Sequence, residues 1–214
     1  EINQPLTALS AYGTACEELL ARGETGEQLK GAIRLMVSES FRAAEVVRRL
    51  RDFFRTGTTH LEPIPLAELL PAAAAPFRMR AEQAGIELAL ASAPEGIVMA
   101  DRPQLEVVIR NLLANAFDAV ASQPAGSRQV RLSAEPEGPD HVCIKVEDSG
   151  PGLSGTSAAR LFEPFSSTKS SGLGLGLAIS RAIAEAHGGS LRAEVGGHGV
   201  FRLQLPFERK ASNA

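Results

Sequence analysis

Apolar side chains recur in steps of three and four over the first quarter of the chain. Leu6, Leu9, Cys16, Leu19 and Leu20 trace one stripe, and Leu29, Ile33, Met36, Val37, Ser40, Ala44, Val47, Leu50 and Phe54 trace a second. That spacing predicts two amphipathic helices. Arg22-Gly23-Glu24-Thr25-Gly26 between them is a turn signal. Arg34, Glu39, Arg42, Glu45, Arg48 and Arg49 fill the remaining faces of the second helix. Residues 1–57 therefore read as an antiparallel helical hairpin. Two helices bury little area alone, so the stripes imply a packing partner. Either the hairpin rests on another element, or a second copy completes a four-helix bundle as a homodimer.

The grammar changes after residue 57. Pro63 and Pro65, with His60 before them, mark residues 58–65 as a linker. From residue 66 to residue 208 helical and strand-like periods are mixed. Helices are predicted over residues 66–80, 102–121 and 174–187, and strands over 86–91, 97–100, 130–134 and 141–147. A closing hairpin joins 191–195 to 200–207 through Gly196-Gly197-His198-Gly199. The strands do not alternate with helices in regular βαβ units. The fold class expected is α+β: the hairpin, then an α/β sandwich with a mixed, mainly antiparallel sheet. Residues 209–214 read as a tail.

Composition narrows the function classes. The formal charge is −3 over 214 residues, which argues against a general nucleic-acid binder. Cys16 and Cys143 are far apart, and His60, His141, His187 and His198 are scattered, so no zinc or disulfide framework is expected. A reduced, cytoplasmic setting fits that usage. No apolar run reaches the roughly 18 residues of a membrane helix, and no signal peptide is seen. The chain opens on Glu1 rather than methionine. A preceding segment is therefore expected, and any membrane anchor or sensor region would lie there.

Three segments carry chemistry. Asn111, Asn115 and Asp118 fall at i, i+4 and i+7 of one predicted helix, on one face, opposite Leu105, Val108, Leu112, Ala116 and Ala119. Asparagine and aspartate are poorer helix formers than the Lys, Glu and Arg usual on a solvated face. Either the face is merely exposed, or its short oxygen-bearing side chains hold Mg²⁺. Next, the alternation Val142, Ile144, Val146 ends in Asp148-x-Gly150-x-Gly152. That pattern places a carboxylate at a strand tip and lets the backbone approach a flat ligand. Asp148 there can accept a hydrogen bond from an adenine amino group. Third, Gly172-Leu173-Gly174-Leu175-Gly176 runs into an apolar helix, the usual make-up of a phosphate cradle built from backbone N–H groups. Leu177 stands where a dinucleotide fingerprint has its third glycine, and no Gly-Lys-Ser/Thr ending is present. Lys169 upstream offers a point charge for a phosphate. Ser166-Ser167-Thr168-Lys169 matches Ser-x-x-Lys, but the companion motifs of penicillin-binding proteins are missing.

In order and spacing, these segments with Phe162-Glu-Pro-Phe165 between them resemble the N, G1, F and G2 boxes of sensor histidine kinases, members of the GHKL ATPase superfamily. The opening Glu1-Ile-Asn-Gln-Pro5-Leu6 resembles the H box of the nitrogen- and oxygen-responsive kinases, which reads His-Glu-x-Asn-Gln-Pro-Leu. The resemblance spans essentially the whole chain. It implies ATP and Mg²⁺ as cofactors, with Asn115 the metal ligand and Asn111 beside it near the phosphates. Asp118 shares that face. It implies that Asp148 reads adenine and that Gly150 and Gly152 shape the pocket. Gly172, Leu173, Gly174, Leu175 and Gly176, with Thr168 and Lys169, line the triphosphate under a lid. The hairpin should dimerise and carry the phosphoacceptor histidine, which passes its phosphoryl group to an aspartate of a response-regulator receiver domain.

Two departures qualify the resemblance. The phosphoacceptor belongs immediately before Glu1, and none of the four histidines present stands in its context. Glu1 matches the acidic neighbour that orients or deprotonates the imidazole. This chain is expected to bind Mg-ATP but not to phosphorylate itself at the usual position. Gln4 occupies the place where related kinases often carry Thr or Asn to position a hydrolytic water. The competing readings are a GHKL ATPase or serine kinase, and a dimeric nucleotide-binding scaffold that performs no transfer.

Overall fold

The computed structural model describes residues 3–54, 60–154, 160–163 and 175–209. It forms two compact units, Glu1–Arg55 and Thr56–Ala214.

In the first unit both apolar stripes become helices, α1 (Asn3–Ala21) and α2 (Glu27–Phe54), packed on each other. The turn between them follows from one glycine. Gly23 has φ of 73°, its N–H reaches the Leu20 carbonyl at 2.9 Å, and the Glu24 N–H reaches that of Leu19 at 2.9 Å. This pair of bonds is a Schellman closure, which needs a left-handed residue at its second step. Much of the apolar character of α2 stays on the surface. Leu35, Val37 and Phe41 are about half exposed or more, Phe41 at 73%. Among the described side chains of the hairpin, Pro5 alone is buried. No helix of the described residues is long and apolar enough to cross a membrane.

The second unit is a layered α/β arrangement. Its elements in order are β1 (Glu62–Pro65), α3 (Leu66–Ala74), a 3₁₀ turn (Ala75–Phe77), α4 (Arg78–Ala84), β2 (Glu87–Leu90), β3 (Gly96–Ala100) and α5 (Arg102–Val120). They continue with β4 (Gln129–Pro136), β5 (His141–Asp148), α6 (Gly176–Ala186), β6 (Ser190–Ala193), β7 (Gly199–Pro206) and β8 (Glu208–Arg209). Five strands form one sheet in the order β2-β4-β5-β7-β6. The β2–β4 pair is parallel and the others are antiparallel, as the mixed sheet read from the sequence requires. Helix α5 packs on β4, β5 and β7, with α3 and α6 beside it.

Helix α5 begins where its capping residues dictate. The Asp101 carboxylate accepts from the Gln104 N–H at 3.1 Å, and Pro103 occupies the first turn. Leu105, Val108, Ile109, Leu112, Leu113, Ala116, Phe117 and Val120 are all at most 1% exposed and make the middle of the core.

Three local expectations change. Residues 62–65, read as the end of a linker, form β1 antiparallel to β3, and Ile64 is fully buried. Pro63 and Pro65 are tolerated because β1 is an edge strand of the small β1-β3-β8 sheet. The single helix expected over 66–80 is broken into α3, the 3₁₀ turn and α4. Pro76 lacks an N–H and cannot continue α3. Glu208 and Arg209 form β8 on β3, so Arg209, expected in the tail, belongs to a strand.

Candidate functional site

Asn111 and Asn115 are half-buried on α5, on the side away from its fully buried stripe. The Asn111 amide donates to the Ser180 hydroxyl at 3.3 Å and, over a longer 3.4 Å, to the Gly176 carbonyl. Residues 65 and 69 positions apart thus meet, and the start of α6 is set against the amide face of α5. Leu175 precedes α6 in a right-handed conformation, with φ of −95° and ψ of −24°. Ser180 is fully buried, so its hydroxyl serves the joint and not the solvent.

Asp118 shares the face of Asn111 and Asn115 but is joined to a different element. It accepts from the Arg80 guanidinium at 2.8 Å, and Arg80 lies over the Phe117 ring at 5.3 Å. Arg80 and Asp118 are both exposed, so the pair contributes at most about 1 kcal/mol. Its visible effect is to tether α4 to α5.

Asp148 closes β5 and is only 5% exposed. Its Oδ1 accepts from the Gly150 N–H at 2.9 Å, and the Gly199 N–H also donates to the carboxylate. Burial pushes the carboxyl above the usual aspartate range. The two backbone donors and the nearby His198 partly oppose that rise. The seat is closed by backbone with no room for side chains. A Cβ on Gly199 would overlap Asp148 Oδ2, and one on Gly150 would come within 2.6 Å of Oδ1 and 2.9 Å of the Ala119 methyl. Gly152, at φ of 71°, packs directly on the Gly196 carbonyl. Leu153 and Gly196 then exchange two backbone bonds of 3.2 and 3.1 Å. The loop after β5 is therefore stitched to the turn between β6 and β7.

The structure brings Asn111, Leu175 and Gly176 together at one joint, and Asp148, Gly150 and Gly152 at another. Ala119 of α5 adjoins Gly150, so one helix flanks both. Asn115 lies on α5 between the two joints. Glu1, the Gln4 side chain, Phe165, Thr168, Lys169, Gly172, Leu173 and Gly174 lie outside the described residues. The sequence reading missed Ser180, Arg80 and Gly199. Gly199 left a trace in the run Gly196-Gly197-His198-Gly199, which reads locally as a turn. Among the described residues no group of three or more His, Cys, Asp or Glu could hold a metal ion.

A family model described as histidine kinase-, DNA gyrase B-, and HSP90-like ATPase matches residues 100–209, from the cap of α5 to β8. The chain belongs to this ATPase family. It is 34% identical over 211 residues to the sensor protein FixL of Bradyrhizobium diazoefficiens, covering 96% of this chain and 41% of FixL. It is 37% identical over 220 residues to the C4-dicarboxylate transport sensor protein DctS of Rhodobacter capsulatus, covering all of this chain and 33% of DctS. The chain thus spans well under half the length of these relatives. Full-length ShkA in complex with AMPPNP superposes with a TM-score of 0.71 at 28% identity, covering 98% of this chain and 47% of ShkA. The histidine kinase ThkA, solved with the response regulator protein TrrA, shares the fold at a TM-score of 0.76 and 24% identity, covering 96% of this chain and 58% of ThkA.

Two outcomes follow from the Asp148 seat. Gly199→Ala lowers unfolding stability by roughly 2–3 kcal/mol in urea. Gly197→Ala, where a methyl meets nothing within 4 Å, changes it by no more than about 0.5 kcal/mol. Equal stabilities of the two variants would show that the seat is loose. The second outcome concerns pH. The native state holds the Asp148 proton more tightly than the unfolded chain does, so the residue's contribution to stability falls as pH rises from the ordinary carboxylate range through the raised value. The wild-type melting temperature minus that of Asp148→Asn should therefore shrink across this acidic window. A difference that grows with pH would reverse the sign assigned to the burial.

Proposed function

We propose that this chain is the ATP-binding and dimerisation core of a sensor histidine kinase. In this reading the γ-phosphoryl group of ATP passes to a histidine directly preceding Glu1, and then to an aspartate of a response-regulator receiver domain. The observation that carries it is the joint of Asn111 with Gly176 and Ser180, which sets the amide face of α5 against the N-terminus of a helix. A helix N-terminus with glycines before it supplies N–H donors for phosphates. Asp148 is the adenine reader, with Gly150 and Gly152 shaping the pocket. Gly172, Leu173, Gly174, Leu175, Gly176, Thr168 and Lys169 line the triphosphate. The ShkA complex with AMPPNP supports a nucleotide in this fold.

Amide oxygens suit a hard divalent cation, and Mg²⁺ is commonly held by one or two protein oxygens together with substrate phosphates. Asn115 would hold it, with Asn111 and Asp118 on the same face. When bound, the ion neutralises phosphate charge. The chain's own residues orient the nucleotide and exclude water from it. Transfer forms a nitrogen–phosphorus bond at the imidazole as the bond to the ADP oxygen breaks, and it depends mainly on positioning and electrostatics. Glu1 orients the imidazole or takes its proton, and Gln4 would position a water that hydrolyses a phosphoryl group to phosphate. The core works in the cytoplasm, where ATP is available.

Homodimerisation belongs to the same proposal. The exposed Ile33, Val37 and Phe41, at i, i+4 and i+8 of α2, share one side and lack a cover within the hairpin. A second copy would bury them in a four-helix bundle. The hairpin, a linker that ends before β1, and a catalytic domain running from β1 to β8 are the working divisions.

In the full-length parent protein, Asn115→Ala should abolish labelling from γ-labelled ATP, and wild-type label should be acid-labile and pass to a receiver domain. Unchanged labelling would remove the metal assignment. Acid-stable label would favour a serine kinase, and ATP binding with no label would favour a scaffold. Light scattering on a protein extended upstream of Glu1 should give a dimer mass. A monomer there would remove the bundle.

A further inference from the structure

His187 follows α6 directly and is 5% exposed. Both ring nitrogens are engaged. Nδ1 lies 2.8 Å from the Ile183 carbonyl, which can only accept, and the Asp101 backbone N–H, which can only donate, points at Nε2 over 3.0 Å. These partners place a ring proton on Nδ1 and leave Nε2 as the acceptor. Asp101 is the N-cap of α5, and its carboxylate is occupied by the Gln104 N–H at 3.1 Å and the His60 N–H at 3.3 Å. The turn beyond the histidine is tight. Gly188 has φ of 71°, and a Cβ on Gly189 would overlap the Gln204 carbonyl. His187 has little freedom to move.

The contact lies at the opposite end of α6 from the Asn111 joint. Asp101 to Asn111 spans about 15 Å of α5, and Gly176 to His187 about 16 Å of α6, at 1.5 Å per residue. The two helices run antiparallel and are clamped by hydrogen bonds at both ends of α6. The core contacts of Ile179, Ile183 and Ala184 fix which face of α6 points inward. Apolar packing limits the axial position of a helix, and a directional hydrogen bond adds a specific restraint to it. The Asn111 bonds, at 3.3 and 3.4 Å, are long. The buried His187 bond is shorter and is the stronger axial restraint.

We propose that His187 is a positioning residue for the phosphate end of the nucleotide site, holding α6 in the axial register that sets Gly176 against Asn111. The inference rests on the nucleotide reading above. It separates the two joints. Asp148 is held by backbone N–H groups of Gly150 and Gly199, and α6 donates nothing to it in these bonds. Loss of His187 should weaken the part of binding that comes from phosphates and spare the part that comes from adenine.

The test compares Mg-ADP and adenosine on the purified chain by calorimetry or NMR titration, well below the melting temperature. His187→Leu should weaken ADP binding about tenfold, the equivalent of one buried hydrogen bond, and change adenosine binding less than about twofold. His187→Gln keeps an acceptor for the Asp101 N–H and should restore ADP affinity to within about threefold of wild type. If His187→Leu does not fold, His187→Asn replaces it, because its shorter amide reaches Ile183 and not Asp101, with the same pattern expected. Equal proportional losses for ADP and adenosine, or no rescue by glutamine, overturn the proposal. A wild-type chain that binds neither ligand overturns the nucleotide reading itself.

Discussion

Helix α5 must satisfy two environments at once, and most of the second unit is arranged around that constraint. One side is driven into the sheet by eight apolar residues that are at most 1% exposed. Fully burying a large apolar side chain contributes about 1.5–3 kcal/mol. Asparagine in a helix interior costs only about 0.6 kcal/mol relative to alanine. The packed side therefore offsets Asn111 and Asn115 on the other with a wide margin. A helix this firmly anchored can present weak helix formers in a fixed geometry, and neighbours on α4 and α6 are set by hydrogen bonds to it.

Asp148 solves a related problem by different means. A buried carboxylate is unfavourable unless donors face it, and here the donors are backbone N–H groups of Gly150 and Gly199. Backbone donors can come this close only if the residues supplying them lack side chains. The glycines of the loop after β5 and of the β6–β7 turn therefore form one device, though some fifty residues separate them. The residual rise in the Asp148 pKa shows that the donors do not fully compensate burial. An under-compensated acceptor at a strand tip retains capacity for a further donor, the place that the adenine amino group takes in the proposed reading.

The parts legible in the sequence were those whose information is local. The apolar period of α5, the alternation of β4 and β5, the turn at Gly23 and the break before α6 are each written within a dozen residues. The Asp-x-Gly-x-Gly run is likewise local. What was not legible depends on partners far along the chain. Strand β1 was hidden because Pro63 and Pro65 read as linker residues, and only the pairing with β3 makes Ile64 a core residue. Arg80 carries no signal that it will meet Asp118, 38 residues on. His187 looked like one of several scattered histidines until Asp101, 86 residues away, was placed on its Nε2.

The family to which the chain belongs spans histidine kinases, gyrase B and HSP90-like ATPases, so the fold of the second unit does not decide where a phosphoryl group goes. In the proposed reading Asn111, Asp148 and Gly176 do no more than present a nucleotide. The acceptor has to be specified elsewhere, and the segment that resembles an H box stands at the head of α1. That division explains why the two units obey different physical rules. The second unit is a densely buried core whose joints are made by hydrogen bonds. The hairpin exposes Phe41 at 73% and buries little of itself. A surface of that kind leaves room for a partner along α2, which the buried core of the second unit does not offer.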